Sequence, residues 1–279
     1  MTTAGTIYDG LQTQQCGLLR YVDANTLSYL PYGGGDQLKI NGVWRTIPTT
    51  GIVGLGRTGV FVNGVAGQNL AASTVYFVYA FMNGSVLTAD YSTTSHAVSS
   101  SGANAGNEIK SGDDTRTLIG MICHQTGFVD NAGNRLVRTY YNRQAAKRDL
   151  FCSATSQIAF SATSWIHLGA TLKFNFLNWA NESVLASIFS SGSHSSSDTS
   201  FWGISWDSVI PAAKPITRIG LIQSAYPGNY INLCLSEENS TLTEGLLHNA
   251  TICGIVNGGT CYYGAAGILT IMTGAILSK

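Results

Sequence analysis

Histidine, cysteine and paired carboxylates are the residues with chemistry to offer in this 279-residue chain, and their spacing limits what they can do. His96, His124, His167, His194 and His248 never fall at HxH or HxxxH spacing, so no two of them make a local metal-ligand pair. Cys16, Cys123, Cys152, Cys234, Cys253 and Cys261 include no CxxC, the spacing of zinc and redox centres. Three cysteine readings stand open: a Cys253–Cys261 bridge, a Cys234–Cys253 bridge, or buried thiols acting as small apolar side chains. There is no Gly-x-Ser-x-Gly elbow, and Gly192-Ser193-His194-Ser195 reads as loop polarity. Gly51, Gly54, Gly56 and Gly59 resemble a phosphate loop only superficially, because no Lys-Ser/Thr ending follows. The expectation is a chain without catalytic residues, metal site or cofactor.

Two clusters could bind without catalysing. Asp198 and Asp207 flank an aromatic run containing Trp202 and Trp206. Aromatic faces stack on pyranose rings while carboxylates accept hydroxyl protons, so these four residues are the candidate glycan-binding set. The plainer reading puts Trp202 and Trp206 in the core, since i and i+4 share one face of a strand. Hydrolysis would need two carboxylates facing each other across a cleft, and adjacent Glu237 and Glu238 would point to opposite faces. The second cluster, Arg135, Arg138, Tyr140, Tyr141 and Arg143, is the candidate docking set, with Lys147 and Arg148 just beyond it. Interleaved Tyr and Arg also suit a single-strand nucleic-acid platform. The blander alternative is a set of ion pairs between two regions of the chain.

Composition argues for the bland end of these choices. Fifteen basic residues balance fifteen acidic ones, and the pI is near 6.9. Nucleic-acid binding normally needs a basic excess, so a nucleic-acid partner is not expected. Charged residues are 11% of the chain, against roughly 25% in an average soluble domain. At 44% hydrophobic there is ample surface to bury, which excludes disorder. The N-terminal Met1-Thr2-Thr3-Ala4-Gly5 lacks the basic and apolar regions of a secretory signal. Tyr262 to Leu277, 16 uncharged residues broken by Gly and Thr, is short for a bilayer span and reads as containing a buried strand, so membrane insertion is not expected. The sequons at Asn181, Asn239 and Asn249 are what a Ser/Thr/Asn-rich chain produces by chance.

The elements that must position these residues read as strands. Few windows keep a helical apolar period for three turns, whereas short β-branched and aromatic runs bounded by Gly, Asn, Asp and Pro recur. Leu38–Ile40 and Val43–Ile47 flank Asn41-Gly42, the pair that supplies a type I′ turn. Thr74–Met82 and Val86–Tyr91 form a second hairpin, with its turn expected at Asn83-Gly84. Ser95–Gly106 reads as a polar loop, Leu118–Cys123 and Leu136–Tyr141 as strands. Further on, Ile158–Phe160, Trp165–Leu168, Thr171–Leu177, Arg218–Gln223, Tyr230–Ser236, Ala250–Val256 and Ile268–Ile276 read as strands, and Ser190–Ser200 as an exposed Ser-rich loop. Residues 1–150 hold eleven basic and nine acidic residues and the remainder only ten charges, which places a boundary near 150. The expected fold is all-β: an N-terminal β domain over 1–150 and a C-terminal β-sandwich of jelly-roll type over 151–279.

Four elements in order carry a resemblance over about residues 16–148. They are Tyr29-Leu30-Pro31-Tyr32-Gly33-Gly34-Gly35 with the hairpin Leu38–Trp44, then Val75–Gly84, then Lys110–Gly120, then Arg135–Arg143. This arrangement resembles virion structural proteins of tailed bacteriophages and phage-derived gene transfer agents. The chain departs from that pattern in carrying Tyr91 where a Trp is common, and Thr117-Leu118 where a second Arg and an aromatic are common. The resemblance implies a non-enzymatic virion component, a tail fibre, receptor-binding spike or head fibre, located in the virion after assembly in the host cytoplasm. It implies a homotrimer whose first domain docks on other virion proteins and whose second meets host-surface polysaccharide. A capsid-decoration protein without a receptor role and a glycan-cleaving spike are the alternatives.

Overall fold

The computed structural model describes residues 14–143, 149–154, 157–168, 172–195, 199–208, 222–223, 231–263 and 270–278. Among these, nearly all regular structure is β, and Gly102–Asn104 forms one turn of 3-10 helix. The protein is all-β, as its alternating and β-branched runs require.

An eight-stranded sheet organises the first half. Its centre is Thr74–Asn83, flanked by Val86–Ser92 on one side and Asp113–His124 on the other. The central strand is buried on both faces, which is why it reads as an unbroken apolar run. Tyr76, Val78 and Ala80 face one core with Leu19, Tyr29, Leu38 and Tyr91. Phe77 and Tyr79 face another with Leu118, Met121, Leu136, Leu177 and Trp179.

The first hairpin is as expected: Ile40 pairs with Val43 across Asn41 (φ 49°) and Gly42 (φ 76°), both left-handed as a type I′ turn requires. The second turn lies one residue further on than expected. Asn83 pairs with Val86, leaving Gly84-Ser85 as the two-residue loop, with Gly84 at φ 62°. A turn of II′ type needs positive φ only at its first central position, so Gly84 suffices and Asn83 stays in the ladder.

Two sheets share the core of the second half. One runs Asp130–Asn131, Asn134–Arg135, Lys173–Phe176, His248–Val256, Thr199–Trp206, Ile222–Gln223, with Ile166–His167 also on His248–Val256. The other runs Asp149–Ala154, Thr270–Ser278, Glu182–His194, Cys261–Tyr263, Ile158–Phe160, with Ile231–Asn239 also on Glu182–His194. Phe174, Phe176, Trp202, Ile204 and Ile252 from the first meet Leu150, Val184, Ala186, Ile188, Met272 and Ile276 from the second. Strand pairing crosses residue 150, because Asn134–Arg135 adds in parallel to Lys173–Phe176.

Two expected loops are partly strand. Ser190–His194 continue the thirteen-residue strand Glu182–His194, and Ser190, Ser191 and Ser193 are buried. Serine is tolerated there because its hydroxyl finds a partner, as Ser190 Oγ does with Thr270 Oγ1 at 2.9 Å. Within Ser95–Gly106, His96–Val98 pairs with Glu108–Lys110, and the buried Asn104 amide donates to Asp114 Oδ1 at 2.9 Å. Of Arg218–Gln223 and Tyr230–Ser236, residues 218–221 and 230 lie outside the described residues.

The cysteines form no bridge. Cys253 and Cys261 lie on strands of the two different sheets, and Cys234 is exposed on an edge strand. Burial pushes the Cys253 thiol up to about 12 and the Cys261 thiol up to about 11, as befits thiols packed as apolar groups.

Gly120 marks a tight crossing in the first half. It pairs with both Val78 and Thr139, and a Cβ there would lie 2.6 Å from the Arg138 backbone oxygen. Gly120→Ala should therefore destabilise the protein by about 1–3 kcal/mol, measured as a lowered urea midpoint at unchanged slope.

Candidate functional site

The strand Thr199–Trp206 sends Trp202, Ile204 and Trp206 toward the core between the two sheets. Trp202 is 3% exposed and meets Phe160 edge-on at 6.0 Å. Trp206 meets Phe176 edge-on at 6.3 Å, and its indole N–H donates to Glu237 Oε1 at 3.0 Å. Trp202 is enclosed in the core, whereas Trp206 is half-buried with one edge toward Phe176 and its indole N–H committed to Glu237. Asp207 caps the strand end at φ 54°: Oδ1 accepts from the Asn249 amide at 2.9 Å and Oδ2 lies 2.8 Å from His248 Nδ1. Asp198 lies outside the described residues.

The basic run is turned inward. Arg138, on Val137–Thr139, is 3% exposed and grips the carboxylate of Glu182 with one nitrogen 2.8 and 2.9 Å from the two oxygens. Glu182 opens its strand, and its Oε2 also accepts from the Trp179 amide at 2.9 Å. The Trp179 indole donates to the Thr139 backbone oxygen at 3.1 Å. Arg135 is also buried, with Nη1 3.7 Å from Asp130. Burial nonetheless outweighs Arg135 at that range and raises the Asp130 carboxyl to about 6. Side chains enclosed this way are not available to an outside partner. Arg135 sits on a strand paired on both sides, whereas Val137–Thr139 pairs on one side only and its Arg138 side chain is buried against Glu182. Arg143 alone of the three lies nearer the surface, its guanidinium 4.5 Å from the Tyr140 ring centre and 4.9 Å from that of Trp179. Tyr140 meets Tyr141 and Trp179 edge-on, at 5.2 and 5.1 Å. Tyr141 packs against the first core. Lys147 and Arg148 lie outside the described residues.

These residues surround a histidine that sequence spacing alone did not single out. His96 Nδ1 lies 2.6 Å from Glu108 Oε2, and its Nε2 contacts Glu244 Oε1. Phe77, Tyr140 and Trp179 rings wall it in at 5.6, 5.9 and 6.1 Å. Glu244 Oε2 accepts from the Ala180 amide at 2.6 Å. Both ring nitrogens face carboxylates, so both bonds form together only when the imidazole carries two protons. Burial alone would lower the His96 pKa, but hydrogen bonds and charge from Glu244 and Glu108 outweigh it and raise it. Burial likewise opposes the ionised Glu244, and His96 with the Ala180 amide overcomes this and lowers its pKa. The arrangement is a clamp: one imidazolium ties the 240s loop to the strands His96–Val98 and Glu108–Lys110. The signal that could have found it is weak, because the partners lie 12 and 148 residues away.

A second convergence lies nearby. Asp90 is fully buried, with Arg116 Nε at 2.6 Å, Lys110 Nζ at 3.9 Å and the Gly64 amide at 2.9 Å. Lys110 and Arg116, both from one of the resembling elements, are therefore structural partners of one carboxylate. Among the described residues, no group of three or more His, Cys, Asp or Glu is arranged to hold a metal ion. None of their helices is long and apolar enough to cross a membrane.

No protein-family model matches this chain, and no curated protein sequence matches it.

Removing one partner of the buried pair leaves a charge without compensation. Arg138→Ala should cost about 3–5 kcal/mol by urea denaturation, and Arg138→Met combined with Glu182→Leu should recover most of that loss. The His96 clamp predicts a pH slope of definite sign. A histidine whose folded pKa is raised stabilises fully below its unfolded value near 6.5 and loses that stabilisation as pH rises through the folded value. Asp130 slopes the same way, so the comparison that isolates His96 is His96→Gln. Urea midpoints should fall from about pH 6 to about pH 8 in the wild type and fall distinctly less in the variant.

Proposed function

We propose that this chain is a non-enzymatic structural component of a virion, part of a phage tail fibre or spike. On this reading it assembles as a homotrimer. Residues 1–150 dock on another virion protein, and residues 151–279, a β-sandwich of jelly-roll type, face outward toward host-surface polysaccharide.

The observation that carries the reading is where the few charges go. A chain with 11% charged residues commits Arg116, Arg138, Asp90 and Glu182 to ion pairs within itself. What is left suits a subunit embedded among neighbours, since interface cores are depleted in charge. The order of the four resembling elements across residues 16–148 supports the same setting. On this reading the half-buried Tyr140 and Arg143 are the more accessible members of the docking set, and the half-buried Trp206 and exposed Asp207 those of the glycan set.

The test is physical association. Particles released from the source culture and banded on a density gradient should contain this chain at constant ratio to their nucleic acid, detected by peptide mass spectrometry. Its absence from every particle fraction would end the virion reading. Purified protein incubated with host capsular polysaccharide should release no reducing sugar, and release would move the assignment to a glycan-cleaving spike.

A further inference from the structure

The sequence holds four Asn-Gly pairs, Asn41-Gly42, Asn63-Gly64, Asn83-Gly84 and Asn257-Gly258, and all four asparagines are exposed. Asparagine is labile where the backbone nitrogen of the next residue can reach its side-chain carbonyl carbon. Glycine, without a Cβ, opposes that approach least. The fold treats the four pairs differently.

At two of them the attacking nitrogen is already committed. The Gly42 amide donates to Asn104 Oδ1 at 3.1 Å, and the Gly64 amide donates to Oδ1 of the buried Asp90 at 2.9 Å. Asn41 and Asn63 also stand in the left-handed region, at φ 49° and 51°. The first tip packs on the 3-10 turn, so closely that a Cβ on Gly42 would lie 2.9 Å from Ala103 Cβ. At the second, Asn63 Oδ1 accepts from Ser92 Oγ at 2.7 Å, and its amide donates to the Tyr91 backbone oxygen at 2.8 Å. Cyclisation at Asn63 would have to pull its side chain from Ser92 and the next amide from Asp90.

At the other two pairs the nitrogen is free. Among the described residues, the Gly84 and Gly258 amides have no hydrogen-bond partner. Asn83 ends its ladder against Val86, and Gly84-Ser85 projects beyond it into open space, where a Cβ on Gly84 would meet nothing within 4 Å. Asn257 stands just past the strand His248–Val256, followed by Gly258 and Gly259.

We propose that Asn83 and Asn257 are sites of spontaneous deamidation in the folded protein, and that the fold protects Asn41 and Asn63. The reaction needs only water. The Gly84 nitrogen loses its proton to solvent base and bonds to the Asn83 side-chain carbonyl carbon. The bond from that carbon to the side-chain nitrogen breaks, and ammonia leaves. Water then opens the cyclic imide at either carbonyl, giving aspartate or isoaspartate. Asn257 follows the same course with the Gly258 nitrogen. Each event adds one negative charge to a chain of zero formal net charge. Isoaspartate also lengthens the backbone by one carbon where Asn83 meets Val86.

The experiment is peptide mass spectrometry on the intact wild-type chain, held at physiological temperature in mildly alkaline buffer and sampled over days. Electron-transfer fragmentation separates isoaspartate from aspartate. A parallel sample in concentrated urea supplies the unfolded chain, where the four pairs differ only in their flanking residues. In the folded protein Asn83 and Asn257 should convert at least roughly tenfold faster than Asn41 and Asn63, because the protected pairs react only after a local opening that breaks hydrogen bonds. In urea the four rates should converge. Folded-state conversion of Asn41 or Asn63 as fast as that of Asn83 would overturn the protection. Asn83 or Asn257 converting as slowly as the protected pair would overturn it as a site. Asn104→Ala removes the acceptor of the Gly42 amide and should raise the Asn41 rate several-fold while leaving Asn63 unchanged. Near-ultraviolet circular dichroism reports whether that variant is folded. A folded variant with Asn41 still inert would overturn the role given to that bond, and the wild-type comparison decides the sites without it.

Discussion

The buried pair between Arg138 and Glu182 is the constraint on which the junction of the molecule depends. Two charges taken out of water are tolerable only when every remaining hydrogen-bonding site is filled. Here Glu182 accepts from Arg138 and from the Trp179 amide, and the Trp179 indole is bound to the Thr139 backbone oxygen. Satisfying those groups fixes where the strand Glu182–His194 begins relative to Val137–Thr139. It also fixes where the Trp179 ring stands, and that ring is one wall of the His96 clamp and one of two surfaces under the Arg143 guanidinium. The ion pair, the aromatic cluster and the imidazolium clamp are thus one connected structure.

Low charge content acquires meaning in this setting. A buried carboxylate such as Asp90 is stable because Arg116 and the Gly64 amide reach it, and similar pairing accounts for Glu182 and Glu244. The charges hold the chain's own segments together.

Much of the fold was legible in the sequence. Asn41-Gly42 specifies its hairpin because both residues tolerate positive φ, and the period-two pattern of Leu172, Phe174 and Phe176 announces a strand with one buried face. The strand Glu182–His194 was the main omission: its serines read as loop, since hydroxyls that are bonded in the core look identical in sequence to hydroxyls in water. The second hairpin turn was displaced by one residue for a related reason. Asn-Gly and Gly-Ser both make two-residue turns, and local preference alone does not choose between them.

The candidate sites divide along the same line. The sequence by itself determined an all-β chain, because apolar period, β-branched content and turn residues act over a few neighbouring positions. It also located the clusters at 135–143 and 198–207 by residue type. Only the tertiary structure decided which way those side chains point. Arg138 meets Glu182 at a separation of 44 residues, Trp206 meets Glu237 at 31, and His96 meets Glu244 at 148. A charge or a ring carries no mark of its partner when that partner arrives from a distant strand. Direction, burial and protonation are therefore properties of the assembled sheets, set by which surfaces the chain can bury together.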